Sequence, residues 1–270
     1  MLKKIILLSG PTASGKSKLA IQLAKKVDGE IINADSMQVY NEFSILSSRP
    51  DNNEIKKIEH HLYGIISARK SFSAGEWLKL TKIKVDECHN KKKIPIIVGG
   101  TGLYFNTITK GISKIPNVDL TTRNKVRSLF KKIGYQNFYQ ELIKIDPKVK
   151  KKILPTDSQR AQRAFEVMLK TKKSLFDWIE NTKSDFINYE IKKIFLQIPR
   201  DILLKNILKR IEKMFENGCI KEVIDFNLLK LNKSLSANKL IGVQEINKYL
   251  DGSISLNQCK EHINIKTRQY

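Results

Sequence analysis

The sequence predicts an α/β fold: a parallel sheet with helices on both faces, interrupted by an all-helical insertion. Three observations carry that prediction. Short apolar runs alternate with amphipathic helices over residues 5–110. A glycine-rich loop joins the first run to the first helix. The alternation lapses near Ile112, where only helical periodicity remains, and it resumes near Lys193.

The first strand is Ile5–Leu8, and the first helix is Ser17–Val27, with Leu19, Ala20, Leu23, Ala24 and Val27 on one face. Between them stand Gly10, Pro11, Thr12, Ala13, Ser14, Gly15, Lys16 and Ser17, a complete G-x-x-x-x-G-K-[ST] pattern. Strand, loop and helix form the context this pattern requires. Backbone N–H groups then gather at a helix N-terminus, where the partial positive charge favours phosphate. Lys16 adds a full charge, and the Ser17 hydroxyl suits a magnesium ion bridging phosphate oxygens. A P-loop NTPase-like core that binds a di- or triphosphate is the expectation.

Further strands are expected at Glu30–Asn33, His61–Ile66 and Ile94–Val98, with helices at Ser73–Asn90 and Thr101–Lys110. Ligands of such sheets sit at the carboxyl ends of the strands. The phosphate loop, Ala34–Tyr40 and Gly99-Gly100-Thr101-Gly102 all fall there and make one candidate site. Helices then follow near Thr121–Ile133, Phe138–Ile145, Ser158–Lys170 and Ser174–Asn181, punctuated by Pro116, Pro147 and Pro155. We divide the chain into a core of residues 1–111 and 190–270 and a helical insertion of residues 112–189. The core resumes with a strand at Lys193–Ile198, stopped by Pro199. The next helix carries Leu204, Ile207, Leu208, Ile211, Met214 and Phe215, read as core rather than ligand contacts, and ends at Asn217-Gly218. Two or three more helices finish the chain.

The chain has 270 residues and a formal net charge of +23. Such a charge suits a polyanionic partner. Arginines number only nine among 50 basic residues, so part of the lysine excess is assigned to compositional drift in an AT-rich genome. Arginine clusters therefore say more than lysines. Cys88, Cys219 and Cys259 are odd in number and scattered, which argues against a disulfide framework or a zinc site. His60-His61 has no companion cluster at ligand spacing. No apolar run reaches membrane-spanning length, and the strand begins too early for a secretion signal, so a cytoplasmic protein is expected.

Asp35 leaves three roles open: a magnesium ligand, a proton acceptor beside the phosphate chain, or a helix N-cap. Gln38 could read a base edge, and Tyr40 offers a ring for stacking. Thr156 or Asp157 caps a helix on which Arg160 and Arg163 share a face. That pair suits phosphate, or it bridges Glu166 and Asp157. Arg123 and Arg127 likewise share a face.

As a set these segments resemble one family. Gly10–Ser17, Ala34-Asp35-Ser36-Met37-Gln38-Val39-Tyr40, His60-His61-Leu62, Val98–Tyr104, Asp157–Val167, Ile241-Gly242-Val243-Gln244-Glu245 and Thr267-Arg268-Gln269-Tyr270 recur in this order in the tRNA dimethylallyltransferases of bacterial type, also called isopentenyltransferases. The resemblance covers essentially the whole chain. It implies transfer of the dimethylallyl group of dimethylallyl pyrophosphate to N6 of the adenosine just 3′ of the anticodon, in tRNAs reading codons that begin with U. By the same resemblance the loop binds pyrophosphate without hydrolysing a nucleotide, Asp35 is the general base, and Thr101 contacts the nucleotide near the reacting centre. Ser36, Met37 and Gln38 match channel positions. Arg123, Gln159, Arg160, Ala161, Gln162, Arg163 and Leu240–Glu245 match positions that engage the anticodon stem-loop.

Three departures stand out. Leu46-Ser47-Ser48 replaces a usual Gly-Thr-Ala stretch, Val243 replaces a common tyrosine, and the chain stops at Tyr270 where the family's last motif continues. The last departure is expected to weaken tRNA binding or the packing of the final helix. A P-loop small-molecule kinase and a shortened, inactive tRNA-binding paralogue are the competing expectations, and a monomer is expected throughout.

Overall fold

The computed structural model describes residues 2–233 and 235–270. The chain forms two compact units, Met1–Ile108 with Asn188–Tyr270, and Thr109–Ile187.

The first unit holds a sheet of five parallel strands: β1 (Lys3–Ser9), β2 (Gly29–Asn33), β3 (His60–His61), β4 (Ile94–Gly99) and β5 (Tyr189–Phe195). Their spatial order is β3-β2-β4-β1-β5. Ile5–Leu8 are buried because helices cover both faces, which is why this strand reads as an unbroken apolar run. Helices α1 (Lys16–Val27), α2 (Asn52–Lys57), α3 (Ala74–Asn90) and α4 (Gly102–Lys110) follow the strands. Trp77 on α3 ties this part together: its Nε1 donates to the Asn33 carbonyl (2.8 Å) and its ring stacks on Tyr104 (4.1 Å between centroids). The end of β2, from which Asp35 projects, is thereby anchored from two helices.

Two strand expectations need correction. The strand predicted at His61–Ile66 is only His60–His61, because Leu62 and Gly64 turn through positive φ (64° and 59°). Ile66 then returns in a single bridge to Tyr40. The last strand is Tyr189–Phe195 rather than Lys193–Ile198, in register from Lys3↔Tyr189 to Ser9↔Phe195. It is an edge strand with Lys192 and Lys193 exposed, so apolar content is a poor marker of where it starts. Helix α2 was unpredicted, although Asp51 and Glu54 form a full capping box at its start.

The second unit contains α5 (Leu120–Ile145), α6 (Ser158–Thr171) and α7 (Leu175–Glu180), with a 3₁₀ turn at Pro147–Lys151. Its core gathers Phe138, Leu142, Val149, Phe165 and Phe176. The two helices predicted at 121–133 and 138–145 run together as α5 but break at Gly134, whose φ of 73° a side chain would resist.

The first unit closes with α8 (Arg200–Glu216), α9 (Cys219–Asn227), α10 (Val243–Leu250) and α11 (Leu256–Gln269). They pack around Ile211, Met214, Val223, Ile246 and Ile263 against Val39, Tyr40, Phe43 and Leu46. This helical layer supplies the far walls of the site.

Candidate active site

β1 ends at Ser9 and the chain turns at Gly10, where a Cβ would stand 2.7 Å from the Leu196 carbonyl oxygen. Ala13 (φ 57°) and Gly15 (φ 89°) are left-handed, which turns successive N–H groups toward one concavity before α1 begins. Two side chains of α8, one turn apart, brace this loop. Asn206 Nδ2 donates to the Ala13 carbonyl (3.2 Å), and an Arg210 guanidinium nitrogen donates to Thr12 Oγ1 (2.7 Å).

Lys16 Nζ folds back onto its own loop, donating to the carbonyls of Gly10 (2.8 Å) and Pro11 (2.5 Å). Burial lowers its pKa to about 8, Asp35 opposes that shift, and the Arg210 cation adds to it. The Arg210 pKa is also lowered by burial, with Asp35 opposing. The cradle therefore concentrates two buried cations, offset in part by Asp35, an arrangement that suits a further anion. Ser14 Oγ is buried without a hydrogen-bond partner among the described residues, and the exposed Ser17 lines the same cavity. An oxygen-rich ligand with a divalent cation fits that donor set.

The other two loops meet the first at the rim. Ala34 N donates to the Val98 carbonyl (2.7 Å) and Thr101 N to the Ala34 carbonyl (3.1 Å). A Cβ on Gly99 would fall 2.1 Å from the Ala34 oxygen, so this approach demands glycine. Thr101 Oγ1 accepts from Ser36 N (2.9 Å) and donates to Ser36 Oγ (3.4 Å). Asn33 holds Asp35 by both backbone groups: its Oδ1 accepts from Asp35 N (2.8 Å) and its Nδ2 donates to the Asp35 carbonyl (3.0 Å). Asp35 Oδ1 accepts from Met37 N (2.9 Å). Oδ2 has no hydrogen-bond partner among the described residues. Asp35 thus caps a turn and not a helix, which removes that one of its three expected roles.

Three cavities converge on Thr12 and Asp35, which line all of them. The first, about 380 Å³, is polar and includes Ser14–Lys18, Gln38, Ser48, Asn206 and Arg210. The second, about 140 Å³, is walled by Met37, Leu46, Ile207, Ile211, Met214 and Ile263. The third, about 310 Å³, opens between Gly10, Gly100, Arg200, Arg268 and Tyr270.

The loop preceding α2 shapes the second cavity. Glu222 on α9 accepts from Ser44 N (2.6 Å), Ile45 N (2.8 Å) and Leu46 N (2.9 Å). From the other side, Gln38 Nε2 donates to the carbonyls of Ser47 and Ser48 (2.9 Å each). The Leu46 backbone needs no glycine here; positive φ falls instead on Ser48 (53°). The Leu46 side chain lies over Gly242, where a Cβ would stand 2.6 Å from its Cδ2.

Several sequence expectations change at this level. Gln38 spends its amide donors on loop carbonyls, so it is a brace rather than a free reader of bases. Tyr40 is 2 % exposed and belongs to the core, out of reach of a stacking base. Ile207, Ile211 and Met214 are core residues as read, yet the same side chains line the apolar cavity. Of Leu240–Glu245, only Ile241 and Gln244 present surface; Leu240, Gly242, Val243 and Glu245 are buried. Glu245 supports the segment by accepting from Gly242 N (2.9 Å) and pairing with Lys266 (2.5 Å).

In the second unit, Asp157 caps α6, accepting from Arg160 N (3.1 Å). Arg160 and Arg163 lie on the accessible side of α6, each with an intrahelical acidic neighbour: Asp157 at 3.8 Å and Glu166 at 3.2 Å. Gln159 is exposed, Gln162 half-buried, and Ala161 buried within the unit's core. Arg123 is half-buried, with Nε lacking a hydrogen-bond partner among the described residues, and Arg127 is exposed.

Sequence spacing also hid a grouping at the opposite end of β2. Glu30 Oε2 lies 2.7 Å from His61 Nε2 and 3.5 Å from Cys88 Sγ, and Lys91 Nζ lies 3.2 Å from Oε1. Burial would raise the Glu30 pKa, but the hydrogen bonds from His61, Lys91 and Cys88 outweigh it and hold it below the ordinary value. Burial, with Glu30 adjacent, pushes the Cys88 thiol up to about 12. Each group satisfies another, which makes this a buried charge network.

Arg210 and Asn206 are the site residues that sequence reasoning missed. The usable signal was an arginine beside Ile207, Ile211 and Met214 on an amphipathic helix, in a chain with few arginines.

Comparison with known proteins follows the same lines. A family model for IPP transferase matches residues 38–270. The chain is 50 % identical over 267 residues to a tRNA dimethylallyltransferase of Pelagibacter ubique (strain HTCC1062), covering 99 % of this chain and 85 % of that protein. It is 40 % identical over 269 residues to one of Rickettsia massiliae (strain Mtu5), covering 99 % and 74 %. Among solved structures, the full-length tRNA isopentenylpyrophosphate transferase of Bacillus halodurans superposes with a TM-score of 0.70 at 30 % identity, covering 99 % and 84 %. A eukaryotic dimethylallyltransferase captured acting on tRNA gives 0.84 at 28 % identity, covering 99 % and 68 %.

Proposed function

Because the chain belongs to the IPP transferase family, we infer that it works as a tRNA dimethylallyltransferase. The convergence of three cavities on Thr12 and Asp35 carries the reading. The polar cavity takes the pyrophosphate of dimethylallyl pyrophosphate, the apolar one its five-carbon tail, and the third an adenine extruded from the anticodon loop. Unassisted, the exocyclic amine is a poor nucleophile, since its lone pair is delocalised into the purine.

In the transfer, N6 of the adenosine 3′ of the anticodon attacks C1 of the donor. The C1–O bond breaks and its electron pair leaves with pyrophosphate. The N6 proton passes to Asp35 Oδ2, the oxygen with no hydrogen-bond partner among the described residues. Thr101 and Asn33 hold the carboxylate's loop in place through Ser36 and Asp35. Lys16 exchanges the Gly10 and Pro11 carbonyls for phosphate oxygens, and Arg210 reaches the same anion from α8. A magnesium ion on the Ser17 hydroxyl would supply further stabilisation of the leaving oxygens. The exposed faces of Arg160, Arg163 and Gln159, with Arg123, suit the phosphates of the anticodon stem-loop. No helix among the described residues is long and apolar enough to cross a membrane. We place the reaction in the cytoplasm and assign it to a monomer.

Incubating the protein with dimethylallyl pyrophosphate and an anticodon stem-loop should add the mass of one dimethylallyl group to the RNA. RNA of unchanged mass would refute the reading, and ATP-dependent phosphorylation of a small hydroxyl compound would favour a kinase instead. Replacing Arg160 and Arg163 together by Ala should reduce the slope of log affinity against log salt by about 1–2. An unchanged slope with lowered thermal stability would restrict the pair to their intrahelical bridges.

A further inference from the structure

We propose that Met214 is the end wall that restricts the transferred chain to five carbons. The inference rests on the functional reading above, in which the apolar cavity receives the donor's hydrocarbon tail. Thr12, Asp35 and Arg210 line that cavity on the side of the phosphate loop, with Arg210 contacting Thr12 at 2.7 Å. Met214 follows Arg210 by one helical turn on α8, about 6 Å further from the phosphate loop along the helix axis. Ile263 faces it from α11. Both side chains are buried, Met214 to 6 % exposure and Ile263 to 1 %.

Two observations give the wall its consequence. The cavity measures about 140 Å³. An apolar cavity of about 150 Å³ accommodates benzene, a six-carbon ring, so this one suits a branched five-carbon tail and is too small for a ten-carbon one. Beyond it lies a cleft of about 770 Å³ between α8 and the Ser44–Ile55 segment, reaching Arg49, Lys213 and Asn217. Two side chains line both spaces, Arg210 and Met214, and of these only Met214 is apolar. The unbranched thioether of Met214 is thus the apolar part of the boundary between the small pocket and the larger cleft, and shortening it enlarges the pocket toward that cleft. Bond changes at C1 and N6, and proton transfer to Asp35, are the same for either chain length. Selection thus falls on the tail alone.

The test uses the full chain, an anticodon stem-loop, and dimethylallyl or geranyl pyrophosphate as donor, with product mass as readout. Wild-type protein should transfer the five-carbon group and reject the ten-carbon one. M214A should gain geranyl transfer, with kcat/KM for that donor rising about tenfold to a hundredfold. In M214F the KM for dimethylallyl pyrophosphate should rise at least about tenfold, while inhibition by inorganic pyrophosphate stays unchanged because the anion cradle is intact. Thermal melts identify a misfolded variant, and the two substitutions change volume in opposite directions, so one remains informative. An M214A protein that transfers five carbons but still rejects ten, or an M214F protein with unaltered KM, overturns the assignment of the wall. Wild-type protein that transfers neither group overturns the functional reading together with it.

Discussion

Replacing Asp35 by Asn is expected to lower the rate of prenyl transfer by about two to four orders of magnitude, with the KM for dimethylallyl pyrophosphate nearly unchanged. Asn is the informative substitution because an amide oxygen can still accept from Met37 N, as Asp35 Oδ1 does at 2.9 Å. The turn and its contacts to Asn33 survive, so a lost rate reports lost proton transfer and not a collapsed loop. D35A should be no faster and should also melt lower, since Met37 N loses its acceptor. Single-turnover kinetics with saturating donor is the measurement. Turnover of D35N within about threefold of wild type would remove the carboxylate from the chemistry and leave it as a structural turn.

Lys16→Met should abolish detectable pyrophosphate binding and yet stabilise the ligand-free protein by about 1–3 kcal/mol near neutral pH. The sign follows from linkage. Burial holds the folded-state pKa at about 8, below the ordinary 10.5, so the unfolded chain binds the proton more tightly. The cost of the buried ammonium is fully present below pH 8 and fades between pH 8 and 10.5 as that difference is titrated. The stability gap between wild type and K16M should close over that same window, as read by denaturant melts. In wild type, pyrophosphate affinity should fall as pH rises above 8, by at most about tenfold per pH unit, with proton uptake on binding detectable by calorimetry in buffers of different ionisation enthalpy. A pH-independent gap would mean that the self-contacts to Gly10 and Pro11 fully repay burial. On the proposed reading, Lys16 gives up stability for an anion site, its charge held against its own backbone carbonyls.

Short-range information was enough for much of this protein. The phosphate loop between an apolar strand and an amphipathic helix, the glycine at 99 and the carboxylate at 35 are local patterns, and each sits on the rim where the parallel sheet puts it. The switch to helices in the middle of the chain was equally legible, because helical periodicity needs no partner to be seen. Edge positions were less so: β5 starts among polar residues because one of its sides faces no neighbouring strand.

Cavity walls were not legible at all. Ile207, Ile211 and Met214 recur at helical spacing whether they pack on a neighbour or leave a gap for a ligand. Only the approach of α11, the Glu222-held loop and the phosphate loop to α8 makes some of their surface a pocket. Arg210 meets Thr12 and Glu30 meets Cys88 across long stretches of chain for the same reason. The sequence by itself indicated the glycine-rich loop, the alternation of strands and helices and the residue types of the rim, each a local pattern a few residues long. Tertiary structure alone decided how much room stands beside that chemistry and which charges face it, because volume and burial arise from segments that share no local pattern.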